Sequence, residues 1–146
     1  SSTKIRNSIN EGDLKTTKIY LGRFFSLTGK VVKGDGLGKQ IDYPTANISI
    51  EEDYKIIPKD GVYYIKTTID NNLYNGMMNI GHRPTIGTKE KSIEVNLFNF
   101  NTDIYDRVVS IDVVEKIRDE KKFASIEALK TQLAKDQEHC LKLINK

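Results

Sequence analysis

Two polar side chains at the start of one predicted strand could bind a metal and a phosphate. The stretch "PTANISI", residues 44–50, places Thr45 and Asn47 two positions apart, and side chains two apart on a strand share a face. A hydroxyl and an amide supply hard oxygen ligands, and Mg²⁺ prefers a few such ligands completed by water and nucleotide phosphates. The same side chains could instead satisfy backbone groups beside the turn at Pro44, so both interpretations remain open here.

A glycine-rich loop precedes this strand. Its residues Gly34, Gly36 and Gly38 allow a tight turn and a close approach of the backbone to a ligand, and Lys39 adds a positive charge. The loop is not a Walker A motif, because Gln40 stands where that motif has Ser or Thr. A plain hairpin without a ligand is the alternative.

A carboxylate lies on another predicted strand, "SIEVNLF". Ile93, Val95 and Leu97 alternate toward the core and place Glu94 on the opposite face. A carboxylate on a rigid strand could act as a general base, which typically contributes about 10²–10⁴-fold to a rate. Exposed strand carboxylates are common, so Glu94 by itself leaves both interpretations open.

A charged loop, "KIRDEKKF", follows the last predicted strand. Arg118, Asp119 and Glu120 lie in it and Phe123 ends it. The planar fork of an arginine can bind an anionic or hydrogen-bonding ligand. A solvated run of surface charges is the simpler alternative.

Short strands must position these groups. Segments rich in β-branched or aromatic residues follow one another without an intervening helix, which predicts an antiparallel barrel or sandwich. The segments are "LTGKVVK", "TANISI", "GVYYIKTTI", "LYNGMMNI", "SIEVNLF" and "RVVSIDVVEKI". We expect a tight hairpin turn at "DNN", residues 70–72, between the third and the fourth.

Helices are predicted before and after the strands. Ile5 and Ile9 are four apart, Gly12 ends that helix, and Asp13 can cap a second helix that ends at Gly22. The closing helix has Ser125 as its N-cap and Glu127 in its first turn. Its apolar stripe is expected to pack on the strands and consists of Ile126, Leu129, Leu133, Cys140, Leu143 and Ile144.

Composition narrows the function classes. The 146 residues fit one domain plus a small appendage, and Cys140 is the single cysteine, which excludes an internal disulfide framework. The net charge of +3 suits an anionic small ligand, but the lysines form no basic stripe for nucleic acid. No apolar run approaches the ~20 residues of a membrane span. We therefore expect a cytoplasmic protein with neither a nucleic-acid nor a membrane partner.

Taken in order, these motifs resemble the riboflavin kinase family from Thr28 onward. The glycine loop is followed by "PTAN", "GVYY", "NIGHRPT" and "IEVNLFNFNTDIYDRVVSIDVVEKIRDEKKF". The most specific signal is "PTAN" followed about 50 residues later by "IEVNL". The resemblance implies a mainly β fold, a six-stranded antiparallel Greek-key barrel with a C-terminal helix and a short helical N-terminal remnant. It also implies transfer of the γ-phosphoryl group of ATP to the 5′-hydroxyl of riboflavin, giving FMN and ADP.

The resemblance assigns roles to the residues nearest the reacting groups. Thr45 and Asn47 would hold Mg²⁺ and phosphate oxygens, and Glu94 would accept the proton of the 5′-hydroxyl. The family usually has glycine and phenylalanine before "PTAN", whereas this sequence has Asp42 and Tyr43. That departure leaves the path of the phosphate loop open.

The resemblance also assigns roles to the two loops. Gly34, Gly38 and Lys39 would lie beside the ATP phosphates. Arg118 and Glu120 would belong to the loop that covers the isoalloxazine ring of the flavin.

The first residues resemble a different domain. "SSTKIRNSINEGD" is similar to the closing segment of the FMN adenylyltransferase domain of bacterial bifunctional FAD synthetases. In that family the Ser-Ser-Thr, here at positions 1–3, and the arginine, here Arg6, contribute to phosphate binding. We therefore expect residues 1–22 to be a helical remnant of that domain and residues 23–146 to be the kinase domain. The adenylyltransferase domain would be the partner in the full-length chain.

Two other functions remain as alternatives. A small barrel that binds single-stranded nucleic acid would use Tyr63, Tyr64, Tyr74 and Tyr105 for stacking, but no lysine cluster accompanies them on one strand face. The other alternative is a protein that binds flavin without catalysis.

Overall fold

The computed structural model describes most of the chain. The described residues are 2–33, 44–50, 56–85 and 88–144. The predicted phosphate loop with Gly34, Gly38 and Lys39 lies outside them, as do Asp42 and Tyr43.

Six antiparallel strands of the described residues form a closed barrel. They are β1 (Phe25–Val32), β2 (Ala46–Ser49), β3 (Gly61–Ile69), β4 (Asn72–Thr85), β5 (Thr88–Leu97) and β6 (Val108–Arg118). Their order around the barrel is β1-β2-β5-β4-β3-β6. Strands β3, β4 and β5 are neighbours in sequence order and β6 returns beside β3, which is the Greek-key arrangement. The predicted barrel is confirmed.

Alternation of side chains along the strands gives each strand an inner and an outer face. On β3, Tyr63 and Ile65 point into the interior, and on β5, Ile93 and Val95 do the same. Since side chains along a strand alternate between faces, Glu94 lies on the outer face of the barrel. The alternation of apolar residues thus places the Glu94 carboxylate on the outer face.

The hairpin between β3 and β4 has a two-residue turn. Asp70 and Asn71 have φ values of 51° and 68°, and Ile69 pairs with Asn72 across the turn. A left-handed conformation at both central residues is typical of a type I′ turn, which Asn and Asp tolerate well. The predicted hairpin is confirmed.

The two N-terminal helices pack on the barrel through the second of them. These helices are α1 (Ser2–Asn10) and α2 (Leu14–Leu21). The Asp13 carboxylate accepts a hydrogen bond of 3.1 Å from the backbone N–H of Thr16, and Gly22 ends α2 in a left-handed conformation with φ 75°. Leu14 is buried in the main core, so α2 is docked on the barrel. Both predicted caps are confirmed.

The closing helix, α3 (Ile126–Ile144), covers the outer face of β3 and β4. The Ser125 hydroxyl accepts a hydrogen bond of 3.1 Å from the backbone N–H of Ala128, as an N-cap does. The expected stripe is wrong at its start, because the packed part of α3 begins at Leu133: Ile126 is 53% exposed, and Leu129 is only half-buried and belongs to neither apolar cluster. The second apolar cluster combines Val62, Tyr64, Met77, Phe98 and Cys140 with Leu133, Leu143 and Ile144. Every helix of the described residues is too short or too polar to traverse a lipid bilayer.

The single cysteine, Cys140, is fully buried. Desolvation, with smaller contributions from Asp136 and Glu115, raises the pKa of Cys140 to about 12. Since the thiolate is the reactive form, we expect no reaction with a disulfide reagent such as DTNB at pH 8 until denaturant unfolds the chain. Absorbance at 412 nm measures this, and rapid reaction of one thiol in native buffer would contradict the packing of α3.

Candidate functional site

A row of polar side chains crosses the outer face of the barrel. Asn47 on β2 pairs with Glu94 on β5, and Glu94 pairs on its other side with Asn79 on β4. Directly opposed residues of antiparallel strands share a face, with Cβ atoms about 4.5–5.5 Å apart. The structure therefore brings the Asn47 amide and the Glu94 carboxylate together, although 46 residues separate them in the sequence.

The amide in this row is unusual in being buried. Asn47 is only 7% exposed, and Glu94 is half-buried. Buried polar groups in proteins are nearly always hydrogen-bonded, and both residues have an interaction partner. Contacts within the protein therefore hold both side chains.

Thr45 stands where the outer face meets the end of the barrel. The side-chain amide of Asn96 donates a hydrogen bond of 2.7 Å to the carbonyl oxygen of Pro44, which ties the entry of β2 to β5. Thr45 also lines a cavity of about 340 Å³. It therefore connects that cavity with the row that contains Asn47 and Glu94.

The cavity at the end of the barrel is large enough for a flat ring. Its inner wall is apolar, and its rim is the loop between β5 and β6, residues 98–107. Phe100 in this loop packs edge-to-face on Tyr74 with ring centroids 4.8 Å apart, which braces the rim. Small-molecule sites are commonly mostly apolar clefts of about 300–1,000 Å³. The lining residues include Val31, Ala46, Val95, Leu97, Asn101 and Thr102.

Glu120 reaches the same outer face from the loop after β6. A Cβ atom placed on Gly81 of β4 would lie only 2.4 Å from Oε1 of Glu120, so this carboxylate rests directly on the glycine. Gly81 is two residues from Asn79 on one strand face, a distance of about 6.8 Å. The structure therefore places Glu120 and Glu94 on one continuous polar surface.

Arg118 is engaged elsewhere. Its Nε and one terminal nitrogen donate to the two carboxylate oxygens of Asp136 on α3, at 2.9 Å and 2.8 Å, and the other terminal nitrogen donates to the carbonyl oxygen of Asp119. The amide of Gln132 also donates to Asp136 at 2.9 Å. This network ties the Glu120 loop to the helix. Direct contact of Arg118 with a flavin stays a prediction.

Asp136 is the residue of this region that sequence reasoning missed. It is 2% exposed and lies on the packed face of α3 between Leu133 and Cys140. Buried carboxylates are rare unless they are paired. An acidic residue inside an apolar helical stripe was the signal that could have identified it.

Two of the tyrosines proposed to stack on nucleic-acid bases are buried. Tyr63 and Tyr64 are 0% and 2% exposed, and desolvation raises the pKa of both phenols. A ring enclosed in the core cannot stack on a base. The nucleic-acid alternative therefore lacks its aromatic surface on β3.

The fold and the site define a small β-barrel with a row of polar side chains on its outer face and a cavity at its end. The family model described as "Flavokinase: Riboflavin kinase" matches residues 21–144. The chain belongs to the riboflavin kinase family, which confirms the resemblance of the motifs.

Curated relatives agree with this family. The bifunctional riboflavin kinase/FMN adenylyltransferase of Bacillus subtilis (strain 168) is 38% identical over 145 residues, which are 97% of this chain and 46% of that protein. The protein of the same name from Pseudomonas fluorescens is 39% identical over 137 residues, which are 93% of this chain and 43% of that protein. The chain thus spans about half the length of these relatives.

Solved structures share the fold. A Streptococcus pneumoniae protein described as a macrolide-efflux protein is 38% identical with a TM-score of 0.89, over 94% of this chain and 45% of that chain. The riboflavin kinase of Trypanosoma brucei is 26% identical with a TM-score of 0.57, over 83% of this chain and 80% of that chain.

Proposed function

We propose that this chain is a riboflavin kinase, which transfers the γ-phosphoryl group of ATP to the 5′-hydroxyl of riboflavin and releases FMN and ADP. The observation that carries the proposal is the register that sets Asn47 beside Glu94, next to the cavity lined by Thr45, in a member of this family. We also propose that it works with an FMN adenylyltransferase domain, since the matched curated relatives are named for both activities.

ATP would lie across the end of the barrel. The adenine ring suits the apolar cavity. Thr45 lies between that cavity and Asn47 on the outer face. The donors at these positions are a neutral hydroxyl and a neutral amide, which fit Mg²⁺ because this ion keeps waters and takes its charged ligands from substrate phosphates. When bound, Mg²⁺ would neutralise charge on the phosphates. Thr45 and Asn47 would hold it.

Glu94 would act on the acceptor. Phosphoryl transfer depends mostly on positioning and on stabilisation of charge. An alcohol is far less acidic than a carboxylic acid, whose reference pKa is about 4.3 for Glu, so the hydroxyl is not ionised in advance. The carboxylate orients the 5′-hydroxyl and accepts its proton while the new O–P bond forms and the bond from the γ-phosphorus to the ADP oxygen breaks.

The flavin ring would lie toward Glu120. The ribityl chain would then follow the outer face of β4 and β5, with its 5′-end at Glu94 and its ring end near Glu120. Arg118 would belong to the same flavin-side loop, and its hydrogen bonds to Asp136 would also hold Glu120 in place.

A product assay tests this proposal. Purified protein is mixed with riboflavin, ATP and MgCl₂, and chromatography with fluorescence detection is expected to show FMN and ADP formed in equal amounts. Reactions without ATP or with excess EDTA serve as controls. Riboflavin binding without any FMN would replace the kinase by the flavin-binding alternative, and the absence of both would reject the proposal.

Replacement of Thr45 by alanine is expected to weaken ATP binding and turnover together. Loss of one oxygen contact to a charged group should raise the KM for Mg·ATP about tenfold and lower kcat as well, because the same contact aligns the phosphates. The steady-state kinetics of Thr45→Ala at several ATP concentrations measure both. Thr68→Ala on the outer face of β3 is the matched control, and wild-type kinetics in both variants would make Thr45 purely structural.

A further inference from the structure

Gly81 on β4 lies directly beneath the Glu120 carboxylate. The three atoms nearest to a Cβ placed on Gly81 are Oε1, Oε2 and Cδ of Glu120, at 2.4, 3.0 and 3.1 Å. We propose that Gly81 is a positioning residue, whose missing side chain provides the space in which the Glu120 carboxylate sits beside the riboflavin site. The inference rests on the proposed function, in which Glu120 faces the flavin.

Backbone conformation does not explain the glycine. Gly12, Gly22 and Gly61 have positive φ angles, whereas Gly81 does not and pairs regularly with Ser92 in the ladder between β4 and β5. Any residue can adopt such an extended strand conformation. Glycine is therefore needed at this position because Glu120 occupies the space that a side chain would fill.

Neighbouring glycines differ in what their side chains would meet. A Cβ on Gly76 would lie 2.4 Å from the backbone oxygen of Asn96, and one on Gly61 would lie 2.8 Å from the backbone oxygen of Arg118. At Gly81 the three nearest atoms all belong to the far end of a flexible side chain. Alanine at Gly81 should therefore displace Glu120 and leave the strand intact.

The loop cannot easily move away in compensation. Arg118 holds it to α3 through Asp136, and its other terminal nitrogen donates to the Asp119 carbonyl oxygen, directly before Glu120. Since non-bonded atoms prefer separations of about 3.5 Å or more, a Cβ on Gly81 would shift the carboxylate by about 1 Å. Misplacement of about this size can cost an enzyme up to 10²-fold in rate.

Binding and kinetics of Gly81→Ala test the inference. The riboflavin Kd, measured by quenching of flavin fluorescence, is expected to rise about tenfold, as for the loss of one contact with a charged group. The KM for ATP should stay within about twofold of wild type and the melting temperature should stay close to it, because the strand is not disturbed. Gly76→Ala is the matched control and should lower the melting temperature without the selective loss for riboflavin.

A rescue separates positioning from a general defect. Glu120→Asp withdraws the carboxylate by one methylene, so it should weaken riboflavin binding in the wild type but improve it in the Gly81→Ala background. Additive losses in the double variant would overturn the inference.

The outcomes distinguish this inference from the proposed function. If Glu120→Gln weakens riboflavin binding and Gly81→Ala does not, Gly81 has no positioning role while the kinase proposal stands. If Glu120→Gln leaves riboflavin binding unchanged, the role of Glu120 and this inference both fail. Riboflavin binding is measured without turnover. If the protein binds riboflavin but forms no FMN, the kinase proposal fails, and the riboflavin Kd of Gly81→Ala still tests the inference.

Discussion

Replacing Glu94 with glutamine is expected to lower kcat for FMN formation by at least about 100-fold, within the usual contribution of a general base. Glutamine keeps the size and the hydrogen-bonding reach of the side chain but cannot accept a proton. The change should therefore act on the chemical step, and the riboflavin Kd should remain within about threefold of wild type. Steady-state kinetics together with fluorescence quenching separate these two quantities.

A control on the opposite side of the barrel sharpens this test. Asp112 on β6 is also a carboxylate between two inward-pointing residues, Ile111 and Val113, and β6 is three strands from β5 around the barrel. Asp112→Asn should leave kcat within about twofold of wild type, since it touches no part of the proposed site. Near-wild-type turnover in Glu94→Gln would reject Glu94 as the base, whatever the family of the chain.

Replacing Asp136 with alanine is expected to lower the free energy of unfolding by about 3–5 kcal/mol, the cost of breaking a buried ion pair by removing one partner. The change leaves the Arg118 guanidinium largely buried without its counter-ion, and the amide of Gln132 loses its acceptor. Equilibrium unfolding in urea, followed by circular dichroism, measures the loss.

Two further variants show whether the pair itself is responsible. Glu138 lies on the same helix, is mostly exposed and pairs with Lys142 at 3.7 Å, so Glu138→Ala should change the unfolding free energy by no more than about 0.5 kcal/mol. The double variant Arg118→Met with Asp136→Leu should be markedly more stable than Asp136→Ala, because no unpaired charge stays buried. If Asp136→Ala lowered the unfolding free energy as little as Glu138→Ala, the proposal that Asp136 ties α3 to the Glu120 loop would be wrong.

Local chemistry made much of the fold predictable. The alternation of apolar side chains identified the strands, and "DNN" identified a turn whose central residues Asp70 and Asn71 adopt positive φ. The caps at Asp13 and Ser125 followed from side chains that accept backbone hydrogen bonds. Each of these signals acts within a few residues, so one segment of sequence contains all of it. The prediction for Ile126 was wrong because the apolar stripe of a helix does not show where along the helix the packed surface begins.

The site required information of a different kind. Periodicity placed Asn47 and Glu94 each on the outer face of its own strand, and the family resemblance connected them, but only the pairing of β2 with β5 made them neighbours. Which residues oppose each other across strands distant in sequence depends on how the whole barrel closes, since a shift of register by one residue would turn a side chain to the other face.

The sequence by itself determined the strands, the caps, the family and the residue types at the candidate site. The tertiary structure alone decided that Arg118 binds Asp136 and that Glu120 rests on Gly81. The physical reason is that burial and long-range contact choose the partner of a polar group. Arg118 looks like a surface charge in its own segment, and only the packing of α3 on the barrel supplies the buried carboxylate that holds it.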